Sequence, residues 1–190
     1  MSRLPDAEQG PGAHQPHVRL ADVDENMLEQ LLGLALHDAE PDEVTPPLGT
    51  GAGWNPERIA WFRAYHRGAA AGLNGPAQEK SWAVLSADQL AGSIRLKRAG
   101  LHVVGAGDTE EGAIAVETGI WLGRGFRGQG VGTAALRLVL AAARRAGVHS
   151  VVARTTRGNP GAQRILTASA ANLAFDGDSV TAVVALTPPD

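Results

Sequence analysis

The 190-residue chain is 44% hydrophobic and 19% charged, the balance of one soluble globular domain with enough chain for a full core. It contains no cysteine, which excludes disulfides, a thiolate nucleophile and thiolate metal sites, and its formal net charge of −3 gives no reason to expect a nucleic-acid partner. Apolar runs stay well short of the roughly 20 residues that cross a bilayer, and the first residues lack the apolar stretch of a secretory signal. A cytoplasmic protein with no membrane partner is therefore the expectation.

Residues 1–16 hold Pro5, Gly10, Pro11, Gly12 and Pro16 and read as a disordered leader. His17 to Leu20 reads as a short first strand. Asp22 or Asp24 can cap a helix running to about His37, with Leu28, Leu31, Leu32 and Ala35 on one stripe. Asp38 to Trp54, broken by Pro41, Pro46, Pro47 and three glycines, reads as a loop. Asn55-Pro56-Glu57 is a strong helix start, a capping residue followed by proline, and that helix carries Ile59, Trp61, Phe62 and Tyr65 before fading near Gly72. Trp54, Trp61, Phe62 and Tyr65 read as core first and pocket lining second, and His66 as a surface or packing residue. Ser81–Ser86 and Leu90–Leu96 read as an antiparallel hairpin turning at Ala87-Asp88-Gln89. After a glycine-containing loop from Gly100 to Gly112, a strand is predicted over Ala113–Leu122.

Five glycines and two arginines follow that strand, from Gly123 to Gly132, and a helix is predicted from about Gly130 to Ala146, with Gly147 as its terminator. His149–Thr155 reads as a strand, Asn159-Pro160 opens another helix, and Val180–Leu186 is a last strand. The order β-α-α-β-β-β-α-β-α-β describes a mixed α+β domain rather than a regular alternation. None of the six histidines has metal-site spacing.

Charge is distributed in blocks. Between Arg19 and Arg58 there is no Lys or Arg, whereas Asp38, Glu40, Asp42 and Glu43 fall together there. Between Glu117 and Asp176 there is no acid, and that span carries Arg124, Arg127, Arg137, Arg144, Arg145, Arg154, Arg157 and Arg164. The second block favours anions and the first favours cations. A strand running into a glycine turn at a helix start is a seat for a phosphorylated ligand, because main-chain N–H groups converge there and the helix dipole adds positive potential.

Two ligands compete for that seat. Gly123-Arg-Gly125-Phe-Arg-Gly128 fits the dinucleotide pattern G-x-G-x-x-G, but the next strand ends Ala153-Arg154-Thr155-Thr156-Arg157 without the acid that would hold a ribose. Its arginines leave an NADP-binding oxidoreductase as a remote alternative. The other match is Arg127-Gly-Gln-Gly130-Val-Gly132, which resembles the coenzyme A-binding R-x-x-G-x-G of the GNAT N-acetyltransferases. Glu117-Thr-Gly-Ile-Trp-Leu122 is similar to the E-x-G-Y-W-L strand of the RimJ/RimL-type branch, and Asn159-Pro-Gly-Ala-Gln-Arg-Ile-Leu166 to its N-x-x-S-x-R-V-L segment.

The resemblance implies a single GNAT domain over 17–190, an α/β sandwich whose mixed, mostly antiparallel sheet is splayed at its central strands. It implies an acetyl-CoA-dependent N-acetyltransferase with acetyl-CoA as donor and a primary amine as acceptor, attacking directly. The pyrophosphate would lie on Gly128, Gln129, Gly130, Val131, Gly132 and Thr133 beside Arg127. Pantetheine would run along Ile120, Trp121 and Leu122 and meet Asn159. The N–H of Leu122 or a neighbour would face the oxyanion, and Glu117 stands at the position of the general base. The chain departs from relatives at the general acid: the tyrosine position is Leu166 and the RimJ/RimL-type serine is Ala162, with Thr167 and Ser169 as substitutes. The acidic block, with Asp38 and Glu40, and Trp61 are expected to serve a cationic acceptor such as an antibiotic, a polyamine or a peptide N-terminus. A catalytically inactive acyl-CoA-binding or protein-interaction domain is the alternative, and a homodimer is left open.

Overall fold

The computed structural model describes residues 16–99, 114–169 and 171–187, so all of the expected leader except Pro16, and the expected loop from Gly100 to Gly112, lie outside the described residues. The seven strands are β1 (Val18–Asp22), β2 (Glu79–Ser86), β3 (Gln89–Arg98), β4 (Ala115–Leu122), β5 (Ser150–Thr156), β6 (Asn172–Asp176) and β7 (Ser179–Ala185). They form one sheet in the order β1-β2-β3-β4-β5-β7-β6, antiparallel throughout except for the parallel β4–β5 pair. The mixed, mostly antiparallel sheet is flanked by helices, as expected.

The helices are α1 (Glu25–Asp38), α2 (Pro41–Val44), α3 (Pro56–Ala69), α4 (Val131–Arg145) and α5 (Pro160–Thr167). Their starts follow local chemistry. The Asp24 carboxylate accepts from the Met27 N–H at 2.7 Å, Asn55 from Arg58 at 2.9 Å and Asn159 from Ala162 at 3.0 Å, each satisfying an orphan donor of a first turn. Alternation then sorts the strand residues by face. Ala83 and Leu85 turn toward α1 and α3 and pack with Leu28, Leu31, Leu32, Ala35 and Phe62. Val84, Ile94, Leu96, Val116 and Val151 turn to the other face, under Val131, Ala135, Leu136, Val139 and Leu140 of α4.

Two elements differ from the sequence reading. The expected loop after α1 contains α2, started by Pro41 and tied back by the Glu43 carboxylate, which accepts from the Glu40 N–H at 3.0 Å. Arg58, only 4% exposed, reaches from α3 to pin this segment through Asp42 at 2.7 Å and the Thr45 hydroxyl at 3.2 Å. The last strand is one arm of a hairpin with β6, which the sequence reading missed because it is only five residues long and its side chains are mostly exposed.

The β4–β5 ladder stops at Thr118↔Ala153, although β4 continues to Leu122 and β5 to Thr156. This is the splay. A test of the layering compares Leu31→Ala, at a fully buried position, with Leu36→Ala, 43% exposed on the same helix. Urea unfolding should show a loss of about 2–5 kcal/mol for the first and under about 0.5 kcal/mol for the second, at unchanged m-value.

Candidate active site

Among the described residues, the β4 main chain past Thr118 pairs with a strand on one side only. The Gly123 N–H bonds to the Ala91 carbonyl at 2.9 Å, and Leu122 stands opposite Gly92. By the alternation of an antiparallel ladder, the N–H and C=O of Ile120 and Leu122 therefore turn away from β3 into the splay. Arg127 occupies part of this edge, its Nε donating to the Leu122 carbonyl at 2.8 Å.

The glycine turn lies at the mouth of the splay. Gly128 and Gly130 have φ of 75° and 80°, a left-handed conformation that side chains rarely adopt, and Gly130 leads directly into α4. The Ala134 N–H makes the first bond of that helix, to Gly130 O at 3.0 Å, so the N–H groups of Val131, Gly132 and Thr133 have no intrahelical partner. A Cβ on Gly132 would meet Ile165 Cδ1 at 2.6 Å, so this glycine lets α4 lie against α5.

A cavity of about 580 Å³ fills the splay. It is lined by Ile120, Trp121, Leu122, Arg127, Gly128, Gly130, Gly132, Thr133 and Asn159 from the sequence-predicted set. Gln129 and Val131 are not in its wall: Gln129 bonds to the Gly125 carbonyl, and the Val131 side chain is buried in the core. Gly161, Ala162, Arg164 and Ile165 of α5, with Ala168 just past its end, complete the wall, as does Glu43. Among the described residues, the Asn159 side chain is engaged only through its oxygen, at the helix cap. Leu166 is buried, the Ser169 hydroxyl donates to Ile165 O at 2.9 Å, and neither Thr167 nor Ser169 reaches the cavity.

A second cavity of about 390 Å³ lies on the α1/α3 face of the sheet. Trp61, Phe62, Tyr65 and His66 of α3 form one wall, and Glu79, Ser93, Arg95 and Lys97 the sheet side. Ile120, Trp121 and Glu43 border both cavities, so the two meet across the released end of β4. The sequence reading placed Trp61 and Tyr65 as secondary pocket candidates and missed Glu79, Ser93, Arg95 and Lys97. Their every-second-residue polar spacing on β2 and β3 was the available signal.

Glu117 is the residue expected as general base. It borders neither cavity; its Oε1 accepts from Arg95 at 2.8 Å and its Oε2 from Arg154. Both of its oxygens are engaged by guanidinium groups in the free protein. On the other side Arg95 bridges to Glu79 of β2 at 3.2 Å, its side chain lying over Gly119 of β4, where a Cβ would meet its Nε at 3.1 Å, and Glu79 accepts from the Tyr65 hydroxyl at 2.6 Å. Burial, then the bond to Glu79, push the Tyr65 phenol well above its ordinary range, so it stays an O–H donor.

Asp38 and Glu40, expected at the acceptor, are also placed elsewhere. Asp38 accepts from the Arg124 N–H at 2.6 Å and Glu40 from its guanidinium at 2.9 Å, and neither borders the second cavity. Asp42 and Glu43 do border it. The acidic block and the glycine turn's arginines thus answer one another.

A family model described as an acetyltransferase (GNAT) domain matches residues 30–171. The chain belongs to the GNAT acetyltransferase family. As a GNAT domain it is an acyltransferase, with acetyl-CoA as donor, and the dinucleotide reading falls. That fold requires parallel neighbours around its motif strand, whereas β4 is antiparallel to β3 and pairs with β5 only up to Thr118.

No curated protein matches the chain in sequence. Solved structures match in fold. The RimL ribosomal L7/L12 alpha-N-protein acetyltransferase in complex with coenzyme A is 16% identical with a TM-score of 0.65, over 89% of this chain and 94% of that one. Mycobacterium smegmatis RimJ in complex with CoA-disulfide is 16% identical with a TM-score of 0.69, over 88% and 81%. The GNAT domain of S. lividans PAT is 16% identical with a TM-score of 0.63, over 90% of each.

One group of this GNAT site is sensitive to pH. His66 is 2% exposed, its Nδ1 lies 3.0 Å from the Ser81 hydroxyl, and burial brings its pKa down to about 4. The unfolded chain takes up this proton near 6.5 while the folded one resists, so folding stability falls as pH drops from about 6.5 towards 4, by an amount on the order of 3 kcal/mol. Urea midpoints measured across that window should fall for the wild type, with the His66→Gln variant lacking this part of the decline.

Proposed function

We propose that this protein transfers an acetyl group from acetyl-CoA to a primary amine by direct attack, and that the amine is a singly charged one such as a peptide N-terminus. The observation that carries the reading is the meeting of two cavities across Ile120 and Trp121, one built for an elongated anion and the other open to an acceptor. The residues present suit coenzyme A. The N–H groups of Val131, Gly132 and Thr133 at the α4 dipole, free among the described residues and with Arg127 beside them, favour a pyrophosphate. The released edge at Ile120 and Leu122 offers main-chain partners to an amide-bearing arm, and the Asn159 NH₂ group is available beside it. When bound, acetyl-CoA supplies a thioester carbonyl open to an amine.

The chain's own groups then position rather than react covalently, and the bound ammonium gives its proton to water at the open junction of the two cavities before the neutral amine attacks. The Leu122 N–H faces the splay and serves a developing oxyanion, and Ala162 and Leu166 leave the thiolate without a dedicated acid. A free thiol's pKa of about 8.5 allows it to depart without one. Glu117 holds Arg95 and Arg154 in place. For the acceptor, Arg95 and Lys97 beside Glu79 make the second cavity mixed in sign, which disfavours a polycation and suits one ammonium on a polar chain. The likeness in fold to RimL, described as an alpha-N-protein acetyltransferase, supports the peptide choice and a place near the RimJ/RimL-type branch. The absence of a hydroxyl at Ala162 and Leu166 favours a second reading, a domain that binds coenzyme A without turnover.

Thermal unfolding and thiol release separate these readings. Acetyl-CoA at about 100 times its dissociation constant should add about 2.7 kcal/mol and raise the midpoint by several degrees, with no effect of NADP. Thiol should then be released with alanyl peptide amides faster than with spermidine or an aminoglycoside. A shift without release from any amine supports the inactive domain, and no shift at all contradicts the proposal.

A further inference from the structure

Glu43 is the one carboxylate among the described residues that borders both cavities, and its present partner is the arginine of the cofactor turn. Arg127 grips it with both ends of its fork, Nη1 to Oε1 at 3.1 Å and Nη2 to Oε2 at 3.2 Å. The remaining Arg127 donor with a recorded bond, Nε, holds the Leu122 carbonyl. The pair is half open to solvent, with side-chain exposures of 43% and 37%, so an incoming anion can reach it.

A planar guanidinium presents two forked edges, Nη1/Nη2 and Nε/Nη2, and because the Leu122 carbonyl takes Nε, a carboxylate or phosphate arriving bidentate must use the Nη1/Nη2 edge that Glu43 holds. The two anions cannot share that edge, and their charges repel. An anion seated on the turn therefore competes with Glu43 for Arg127. Glu43 cannot move far when it loses, because α2 is pinned by Arg58 through Asp42 and Thr45. Its carboxylate stays where the cavities meet. Asp42 remains with Arg58, and Asp38 and Glu40 remain with Arg124, so no other loop acid is freed by the same event.

We propose that Glu43 is the acceptor-holding residue of this site, masked by Arg127 in the free protein and turned over to the acceptor's ammonium when an anion takes Arg127. The proposal rests on the acetyl-CoA reading above and assigns its acceptor contact to one residue. The ion pair makes the acceptor seat conditional: before donor binding the carboxylate is neutralised, and afterwards it is left to a cation in the second cavity. That arrangement selects amines in their ammonium form for capture and keeps them out of a site that holds no donor.

The test uses the whole protein and two calorimetric titrations. In the first, coenzyme A is titrated into the wild type, Glu43→Gln, Arg127→Gln and the double variant. Glutamine keeps the oxygen that accepts from the Glu40 N–H, so α2 keeps its start. Glu43→Gln should bind coenzyme A at least threefold more tightly, Arg127→Gln more weakly, and Glu43→Gln should have no effect in the Arg127→Gln background. Unchanged or weaker binding by Glu43→Gln overturns the masking. In the second titration, alanyl-tyrosinamide, a free α-amine with no carboxylate, is added with and without saturating coenzyme A. The wild type should bind it at least tenfold more tightly when loaded, and Glu43→Gln should lose that gain. Equal binding by the variant, equal binding without coenzyme A, or no binding by the loaded wild type overturns the acceptor role. If the wild type binds no coenzyme A, the function proposed above has failed; if it binds and only the Glu43 comparisons fail, this inference alone has failed.

Discussion

The site depends on one broken ladder. Parallel pairing between β4 and β5 ends at Thr118↔Ala153, and everything placed at the site is placed relative to the strand end left over. Main-chain polar groups in a protein interior need partners, so an edge released inside the sheet is stable only where water or a ligand can reach it. The cavity in the splay provides that access. The same release lets the chain leave β4 through the glycine turn and enter α4, which puts the unpartnered N–H groups of Val131, Gly132 and Thr133 at the mouth of the gap. The absence of a side chain at Gly132 matters for the same geometry, since α4 and α5 must close in on β4 for the gap to have walls.

The second organising feature is electrostatic. An arginine-rich segment built to hold an anion carries a cost when the anion is absent, because like charges gather without compensation. Here the compensation comes from the acidic block far away in sequence: Arg124 with Glu40, Arg127 with Glu43, and the Arg124 N–H with Asp38. These are partly exposed pairs, each of small value to stability by itself. Their consequence is positional, since they draw α2 against the cofactor turn and make one of its carboxylates common to both cavities. A second string of polar and charged groups, Tyr65–Glu79–Arg95–Glu117–Arg154, runs along the sheet beside the second cavity and joins α3 to β5 across three intervening strands.

Much of this was legible before any coordinates. Asn55-Pro56 and Asn159-Pro160 start helices because capping oxygen and fixed proline φ act within a few residues. The strand, glycine turn and α4 were readable because their signals are contiguous. The resemblance over Glu117–Leu122, Arg127–Gly132 and Asn159–Leu166 supplied the family. What was not legible is long-range pairing. Glu117 occupies a base position in sequence, but Arg95 and Arg154 come from two neighbouring strands, and no local pattern shows that they close on it. Asp38 and Glu40 looked like acceptor ligands because the arginines that claim them are more than 80 residues away. α2 was hidden by Pro46, Pro47 and glycines around a single turn, and β6 by its exposure.

The most direct test of this account is residue-resolved amide hydrogen exchange along β4. In the free protein the Ile120 and Leu122 amides should exchange much faster than that of Trp121, whose N–H faces β3, and saturating coenzyme A should slow Ile120 and Leu122 while changing Trp121 little. If Ile120 and Leu122 are as protected as Trp121 without ligand, or if coenzyme A leaves their exchange unchanged, the released edge is not the donor's seat.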